Sequence, residues 1–553
     1  MAGESVGAGR EHEYDVVVVG SGAAAFACAL GAIDEGLSVL MLESTDRFGG
    51  NTAMSGGGLW LPNNPLMRRE GASDSRGEAL EYLEATVGEP GRASSRARKE
   101  AFVDGIEDYV LTTERHGLRW IRAAHYPDYY PERPGGKIGR SIEVRPIAAG
   151  SIGEWRRSAR TLLPIPMLNS DMYLLGRSFS TWSGFGRGVT LVWRTVVQGL
   201  LTGRKLLGMG AGLITSLAKA VLVDGKALLW LNSPARRLLI EDDRVVGVEV
   251  ERNGRLIPVR ARRGVMLAAG GFDQNKELRL RLQGVEGNPA GSPGALGEWL
   301  PWAEQAGAAL EYLEDAWWGA TVKPVPGGLS SFIVGERSMP YSIIVDSHGR
   351  RFANESESYV DLGHHMLEHD GAQGPYWLIL DARYTRRYFR TFAVDPKANA
   401  AMARERIHVK APTLAALAKE IGVDEATLLA TVERFNGFAR TGRDQDFGRG
   451  DSAYDRYYSD PLIHPNNNLA PIEKGPFSAY LLVIGDLGTK GGIVTDEHAR
   501  ALREDGSVIA GLYSAGNNSA AVMGHTYPGP GSTIGPASVF GLIAARHMAG
   551  ARG

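Results

Sequence analysis

The chain has 553 residues, 43% of them hydrophobic and 22% charged, with a formal net charge of −2. Its length exceeds one simple core, so two or more domains are expected, and its near-neutral charge gives no reason to expect a nucleic-acid partner. A single cysteine, Cys28, excludes an intrachain disulfide and a cysteine metal cluster, and no metal site is expected.

The first fifteen residues, MAGESVGAGREHEYD, have no apolar core, so no secretory signal is expected and the composition fits a reducing cytoplasm. Tyr14 to Val19 (YDVVVV) reads as a β-branched strand. It breaks at Gly20-Ser21-Gly22-Ala23-Ala24-Ala25 and continues as a small-residue helix to about Glu35. A second strand, Ser38 to Leu42, ends at Glu43. This is a strand–turn–helix–strand unit of the dinucleotide-binding kind. Gly20 makes the turn, Gly22 lets backbone approach a pyrophosphate, and Ala25 is small where helix packs on strand. Glu43 stands where a carboxylate takes ribose hydroxyls.

The run Asp46 to Gly58 (DRFGGNTAMSGGG) holds five glycines and several small hydroxyls. A second loop so close behind the acid suits an extended cofactor: FAD needs it, and a nicotinamide does not. Ser73 to Gly117 reads as polar helix with a solvated face. Tyr126 to Glu132 (YPDYYPE) is an aromatic loop. Trp155 to Leu207 carries eight basic residues against one acid, Asp171, interleaved with aromatics and apolar patches such as Leu162 to Leu168. That mixture suits an anionic membrane surface at the inner face of the cell membrane, or equally a basic flap over the site or an oligomer contact. No segment is long and apolar enough to span a bilayer.

Leu213 to Leu222 reads as helix and Ala227 to Leu231 as strand. Ala235 to Ile240 and Val245 to Val250 read as a hairpin turning at Glu241–Arg244. Arg255 to Val259 extends it, and Gly264 to Phe272 reads as a separate buried strand. From about residue 315 the pattern becomes α+β: strands at Ser342–Val345 and Trp377–Leu380, helices at Thr413–Ile421 and Asp424–Gly437. A final strand, Ile509 to Ala515, rejoins the first sheet. The expected architecture is α/β: a Rossmann-like FAD-binding domain over 1–314 and 479–553, interrupted by an α+β substrate domain over 315–478.

The loop Gly524 to Ala537 (GHTYPGPGSTIGPA) is stiffened by prolines and opened by glycines. The apolar helix after it points free N–H groups at the loop, which suits an electron-rich oxygen on a ligand. The residues expected to hold the cofactor are Gly20, Ser21, Gly22, Ala24 and Ala25; Glu43 and Ser44; Gly50, Asn51, Thr52, Ser55, Gly56 and Gly57. Ala235, Ala269, Gly270, Gly516, Asn517, Ser532, Thr533 and Ile534 complete the set.

Taken together, DRFGG from Asp46, PDYY from Pro127, Asn354-Glu355-Ser356 with Tyr359, DLGTKGG from Asp486 and YPGPG from Tyr527 resemble the succinate dehydrogenase/fumarate reductase type of flavoprotein, and within it the 3-ketosteroid Δ1-dehydrogenases. The resemblance spans nearly the whole chain and is weakest over 155–207. It implies that Tyr527 and the Gly531 backbone N–H bind a steroid's 3-keto oxygen, that Tyr359 removes a proton from carbon 2, that Tyr129 eases ionisation of Tyr359, and that FAD accepts a hydride from carbon 1. A quinone or artificial electron acceptor is implied as a partner. A tyrosine of ordinary pKa is a poor base at neutral pH, so an environment that lowers it is expected. The competing readings are a fumarate- or urocanate-reductase-like enzyme using Arg337, Arg350 and Arg351, a ketosteroid dehydrogenase acting at carbons 4 and 5, and a non-catalytic flavin-containing steroid-binding protein.

Overall fold

Strand β1 (His12–Val19) runs through the middle of an eight-stranded sheet, with Val16, Val17 and Val18 fully buried, as a strand covered on both faces requires. The computed structural model describes residues 12–550 apart from 163, 329 and 371–373. The N-terminal stretch up to residue 11 and Leu163 of the apolar patch lie outside the described residues. Strand β2 (Val39–Leu42) lies parallel to β1, and β3 (Leu228–Trp230) parallel to β2. Strands β4 (Ala235–Glu241) and β5 (Arg244–Arg252) form the expected hairpin, with Asp242 and Asp243 both at positive φ in the turn.

Strand β6 (Arg255–Leu267) pairs with β5 in its first half and runs parallel to β1 from Val259 to its end. The sequence divides this stretch at its charged residues, but the strand is continuous. Arg262 reaches outward to Asp15 and Glu13 (2.9 and 3.0 Å), and Arg263 donates to the carbonyls of Met548 and Ala549, so neither charge interrupts the ladder. Ala268 to Phe272, expected as strand, has left the sheet.

The chain then builds a second, largely antiparallel sheet from β7 (Ala316–Val322), β8 (Ser331–Phe332), β9 (Ser342–Val345), β10 (Tyr376–Leu380), β11 (His408–Ala411) and β12 (Phe477–Thr489). Its order is β8-β7-β12-β10-β9, with β11 also on β12. Helices Leu414–Ile421 and Glu425–Thr441 pack on it, as their sequence periodicity predicts. Strand β12 belongs to this sheet as far as Thr489, past the expected return near 479. The chain comes back through β13 (Arg500–Leu502) and β14 (Val508–Ser514), which lies parallel to the end of β6.

Two helices cover the cofactor side of the first sheet. The helix Ala23–Asp34 is rich in small residues, and the C-terminal helix Ile534–Gly550 crosses it at backbone distance. A Cβ on Gly31 would stand 2.6 Å from Leu542 Cδ1, and one on Gly541 would stand 2.4 Å from Ala24 O. Overpacking of this sort costs about 1–3 kcal/mol. Cys28 is buried in the same layer, and burial pushes its thiol up to about 12. The polar stretch 73–117 forms helices Arg76–Thr86 and Arg96–Arg115. Only its outer face is solvated: Tyr82, Phe102, Ile106 and Tyr109 face the core around Trp60.

Candidate active site

A cavity of about 1270 Å³ reaches from the end of β2 to the C-terminal loop, larger than the roughly 300–1,000 Å³ usual for one small ligand. Its wall includes Gly20, Ser21, Gly22, Ala24, Glu43, Ser44, Gly50, Asn51, Thr52, Ser55, Gly56, Gly57, Ala235, Ala269, Gly270, Gly516, Asn517, Thr533 and Ile534. Two expected residues are not on that wall. Ala25 is buried in the core, where its small side chain serves packing. Ser532 turns its hydroxyl to its own loop, accepting from the Gly529 N–H and donating to the Gly529 carbonyl, both at 2.8 Å.

Backbone geometry explains the glycines. Gly20 has φ +111°, and a Cβ there would stand 2.1 Å from Ala268 O. A Cβ on Gly50 would come within 3.7 Å of Gly22 Cα, so the two glycine turns frame a slot that side chains would fill. Thr52 Oγ1 accepts from the Ala23 N–H at the start of the helix (3.1 Å). Glu43 is held in place: the Ser21 hydroxyl donates to Oε2, and the N–H and hydroxyl of Thr45 donate to Oε1 at 2.9 and 2.8 Å. A glycine slot at a helix N-terminus, with a fixed carboxylate beyond it, fits the pyrophosphate and ribose of FAD, and the cavity continues from there to the tyrosines.

Tyr129, Tyr359 and Tyr527, from three distant segments, meet at the other end. Their ring centroids lie 5.7 Å (Tyr129–Tyr359), 5.2 Å (Tyr129–Tyr527) and 4.9 Å (Tyr359–Tyr527) apart, and all three line the cavity with Gly531. The C-terminal loop is positioned through its carbonyls. The Tyr129 N–H and Tyr82 hydroxyl donate to Pro528 O (2.9 and 2.6 Å), and the Ser141 hydroxyl donates to Pro530 O (2.7 Å). A Cβ on Gly529 would lie 2.2 Å from Trp60 Cδ1, so only glycine lets the indole pack there. The Trp60 Nε1–H donates to Asp128 (2.8 Å), whose carboxyl burial raises to about 6 against the pull of Arg140. Tyr359 is the first residue of the helix Tyr359–Asp370, near its positive end.

Burial raises the pKa of all three phenols. Tyr359 stands well above the ordinary tyrosine value, through desolvation first and then the neighbouring phenols of Tyr527 and Tyr129. Tyr129 is likewise raised, by burial and then by Tyr454 and Tyr527. For Tyr527 burial is opposed by hydrogen bonding from Thr533, Tyr359 and the Gly531 N–H. The Thr533 hydroxyl donates to the Tyr527 oxygen at 3.2 Å, which leaves the Tyr527 proton available as a donor. The expectation that the surroundings lower the Tyr359 pKa is therefore not met by the protein groups themselves. An aromatic cage of low polarity penalises the phenolate.

Among the described residues, no Arg, Lys or His lines the cavity; its charged lining is Glu43, Glu298 and Glu336. Arg337 donates to the carbonyls of Glu355 and Glu357, and Arg351 is paired with Glu355 and Asp444. Arg350 is exposed and off the cavity wall. Lining residues not found from sequence include Phe332, 5.2 Å from Tyr359, and the loop around Ser292, whose N–H donates to Asn51; behind the lining, the Trp317 ring meets Tyr527 edge-on at 5.3 Å. Tyr454, on the helix Ala453–Tyr457, packs 4.2 Å from Tyr129, and Tyr458 shares a hydrogen bond with Tyr126 (2.6 Å). The aromatic composition around 454–458 was the one available signal. The segment 155–207 supplies part of the cavity wall through Met167, Met172, Leu175 and Phe185.

The family model described as FAD binding domain matches residues 15–534. The chain is 42% identical to a 3-oxosteroid 1-dehydrogenase of Mycolicibacterium smegmatis, covering 97% of each chain, and 42% identical to one of Mycobacterium tuberculosis, covering 97% of this chain and 98% of that one. Among solved structures it is similar to the 3-ketosteroid delta1-dehydrogenase of Sterolibacterium denitrificans in complex with 1,4-androstadiene-3,17-dione: TM-score 0.90, 35% identity, 98% of this chain and 100% of that one. A match of this extent in sequence and in backbone, over a cavity built as described, means that the chain belongs to the 3-oxosteroid 1-dehydrogenase family of FAD-binding flavoproteins.

Proposed function

We propose that this protein catalyses the 1,2-desaturation of 3-ketosteroids, converting a 4-en-3-one to a 1,4-dien-3-one. The observation that carries the reading is the meeting of Tyr129, Tyr359, Tyr527 and Gly531 on the wall of a cavity without basic side chains. The names of the relatives support it. Tyr527, kept protonated, and the Gly531 N–H donate to the 3-keto oxygen and stabilise the enolate, as an oxyanion hole does. Tyr359, as phenolate, removes the proton from carbon 2, and the edge-on ring of Tyr129 fixes its orientation without easing its ionisation. FAD, when bound, supplies the two-electron acceptor for the hydride leaving carbon 1, so a 1,2 double bond remains. The glycine slot and Glu43 hold the cofactor, and the first sheet with its helices serves it, while the second domain, which keeps β12 as far as Thr489, brings Tyr359 to the substrate. A quinone or artificial acceptor completes turnover.

A dicarboxylate-reductase reading is disfavoured because the arginines it needs are engaged elsewhere. Anaerobic addition of a 4-en-3-one steroid tests the proposal. Bleaching of the flavin absorbance with formation of the dienone is expected; a spectral shift without bleaching would favour a non-catalytic binding protein.

We further infer that segment 155–207 docks on an anionic membrane surface. Trp182 is 89% and Leu200 81% exposed, beside exposed Trp193 and Leu201, and Arg194, Arg204 and Lys205 are exposed in the same segment. Among the described residues no helix is long and apolar enough to cross a membrane, so contact from one face is the form this takes.

A further inference from the structure

Lys490, in the run DLGTKGG, is fully buried behind the cavity lining. Its Nζ donates to Asp315 Oδ2 at 3.0 Å and to the carbonyl of His525 at 2.6 Å. Asp315 is buried as well and accepts three more hydrogen bonds. His525 Nδ1 reaches the same oxygen (2.8 Å), and His364 Nε2 and the Ala316 N–H reach the other (2.9 and 2.7 Å). Burial opposes ionisation of this carboxyl, but Lys490, His364 and His525 outweigh it and hold the group well below the ordinary carboxylate value.

These partners come from opposite sides of the site. His364 is on the helix Tyr359–Asp370 of the second domain, which Tyr359 begins. His525 stands two residues before Tyr527, on the loop that runs into the C-terminal helix of the first domain. Asp315 and Lys490 lie where the chain crosses between the domains, just before β7 and just after β12, and Ala316 pairs with Thr489 beside them. Lys490 Nζ is also 5.0 Å from the centre of the Trp317 ring, the ring that meets Tyr527 edge-on.

We propose that Asp315 and Lys490 are positioning residues for the reaction: together they fix the distance between the base Tyr359 and the ketone donors Tyr527 and Gly531, which come from different domains. The inference rests on the roles those residues have in the 3-ketosteroid reading. Carbon 2 is bonded to the carbon that bears the 3-keto oxygen, so proton removal and enolate stabilisation happen side by side and need base and donors in one register. A misplacement of about 1 Å can cost about a hundredfold in rate. Stability alone does not call for a buried ion pair here, because apolar side chains of similar volume often serve as well. Directional hydrogen bonds from two segments to one carboxylate, in contrast, set a distance. The bridge works in series: His364 ties the helix to Asp315, and Lys490, helped by the half-exposed His525, ties Asp315 to the loop. Loss of either link releases the register, and loss of both releases little more.

The test follows flavin bleaching by androst-4-ene-3,17-dione in a single turnover of the FAD-loaded full chain without acceptor. Its dependence on steroid concentration gives the limiting reduction rate and the steroid Kd separately. His364→Gln and Lys490→Met are each expected to lower the limiting rate about tenfold or more while changing Kd less than about threefold, with FAD content and circular dichroism retained. The double variant is expected to stay within about twofold of the slower single variant, and Asp315→Asn, which weakens both links at once, to resemble it. His525→Gln takes the place of Lys490→Met in this cycle should that buried change fail to fold. Unchanged limiting rates in folded variants, losses that multiply in the double variant, or a raised Kd at an unchanged rate would overturn the positioning role. Failure of the wild type to bleach would instead overturn the ketosteroid reading beneath it.

Discussion

Tyr359 must lose its own proton before it can take one from carbon 2. Burial and two neighbouring phenols hold its pKa well above the ordinary tyrosine value, so at neutral pH the active phenolate is a small fraction. Because the folded pKa is raised, that fraction grows as pH rises and has not saturated at the ordinary tyrosine value. We therefore expect kcat/KM to climb with pH, approaching about tenfold per unit, through neutral and into alkaline solution. A flat profile from pH 7 to 9 would argue against a phenol as base. Tyr359→Phe removes the base while keeping the ring contacts to Tyr129, Phe332 and Tyr527, and is expected to lower kcat about a hundredfold or more with FAD still bound. Near-normal turnover in that variant would remove Tyr359 from the role. The raised pKa of Tyr527 works in the opposite sense, since a donor to the ketone has to stay protonated.

At the scale of elements, the C-terminal loop lies directly on the strand Gly58–Trp60. Gly531 has φ +101°, and a Cβ there would stand 2.3 Å from Gly58 O and 2.7 Å from Leu59 Cα, both backbone atoms that cannot swing aside. Gly531→Ala is expected to lift the loop and misplace both donors to the ketone, lowering kcat/KM about a hundredfold. Flavin content is measured alongside, since Thr533 and Ile534 of the same loop also line the cofactor part of the cavity; unchanged kcat/KM would show that the loop is not held by this contact. This element was legible in the sequence because its prolines and glycines leave few conformations open, and the first strand–turn–helix was legible because valine run, glycine turn and acid follow one another locally. Strand β6 was misread because Arg262 and Arg263 look like an interruption until Glu13, Asp15 and the end of the C-terminal helix are brought beside them. The wall around Ser292 and the packing of Tyr454 on Tyr129 were not legible for a related reason. Those segments have no periodicity of their own, and their roles come from contacts across more than two hundred residues.

For the whole molecule, the question is how one face can be so apolar on a chain of near-zero net charge. The segment 155–207 does two things with its side chains. Part of it closes the cavity, and another part turns Trp182, Trp193, Leu200 and Leu201 outward. Several of its basic residues are not available to a membrane: Arg177 is buried against Tyr173, with a hydrogen bond to Tyr457 O, and Arg187 is paired with Asp171. Arg156, Arg157, Arg194, Arg204 and Lys205 remain exposed, the last three in the stretch that carries Trp193, Leu200 and Leu201. At about 1 kcal/mol for each basic residue near an anionic surface, these three contribute about 3 kcal/mol, or about a hundredfold in partitioning, at low salt. That share is lost as the Debye length shortens from about 10 Å at 0.1 M to about 3 Å at 1 M ionic strength, while the share from the tryptophans and leucines is not. The protein is therefore expected to float with vesicles containing anionic lipid at low salt, much less so at 1 M salt, and weakly with zwitterionic vesicles at either. Arg194→Gln with Arg204→Gln should remove most of the salt-sensitive part, and Trp182→Ser with Leu200→Ser most of the remainder. Indifference to anionic vesicles at low salt would sink the docking proposal and leave the exposed apolar side chains of 155–207 to an oligomer contact, which sedimentation of the same protein would then reveal.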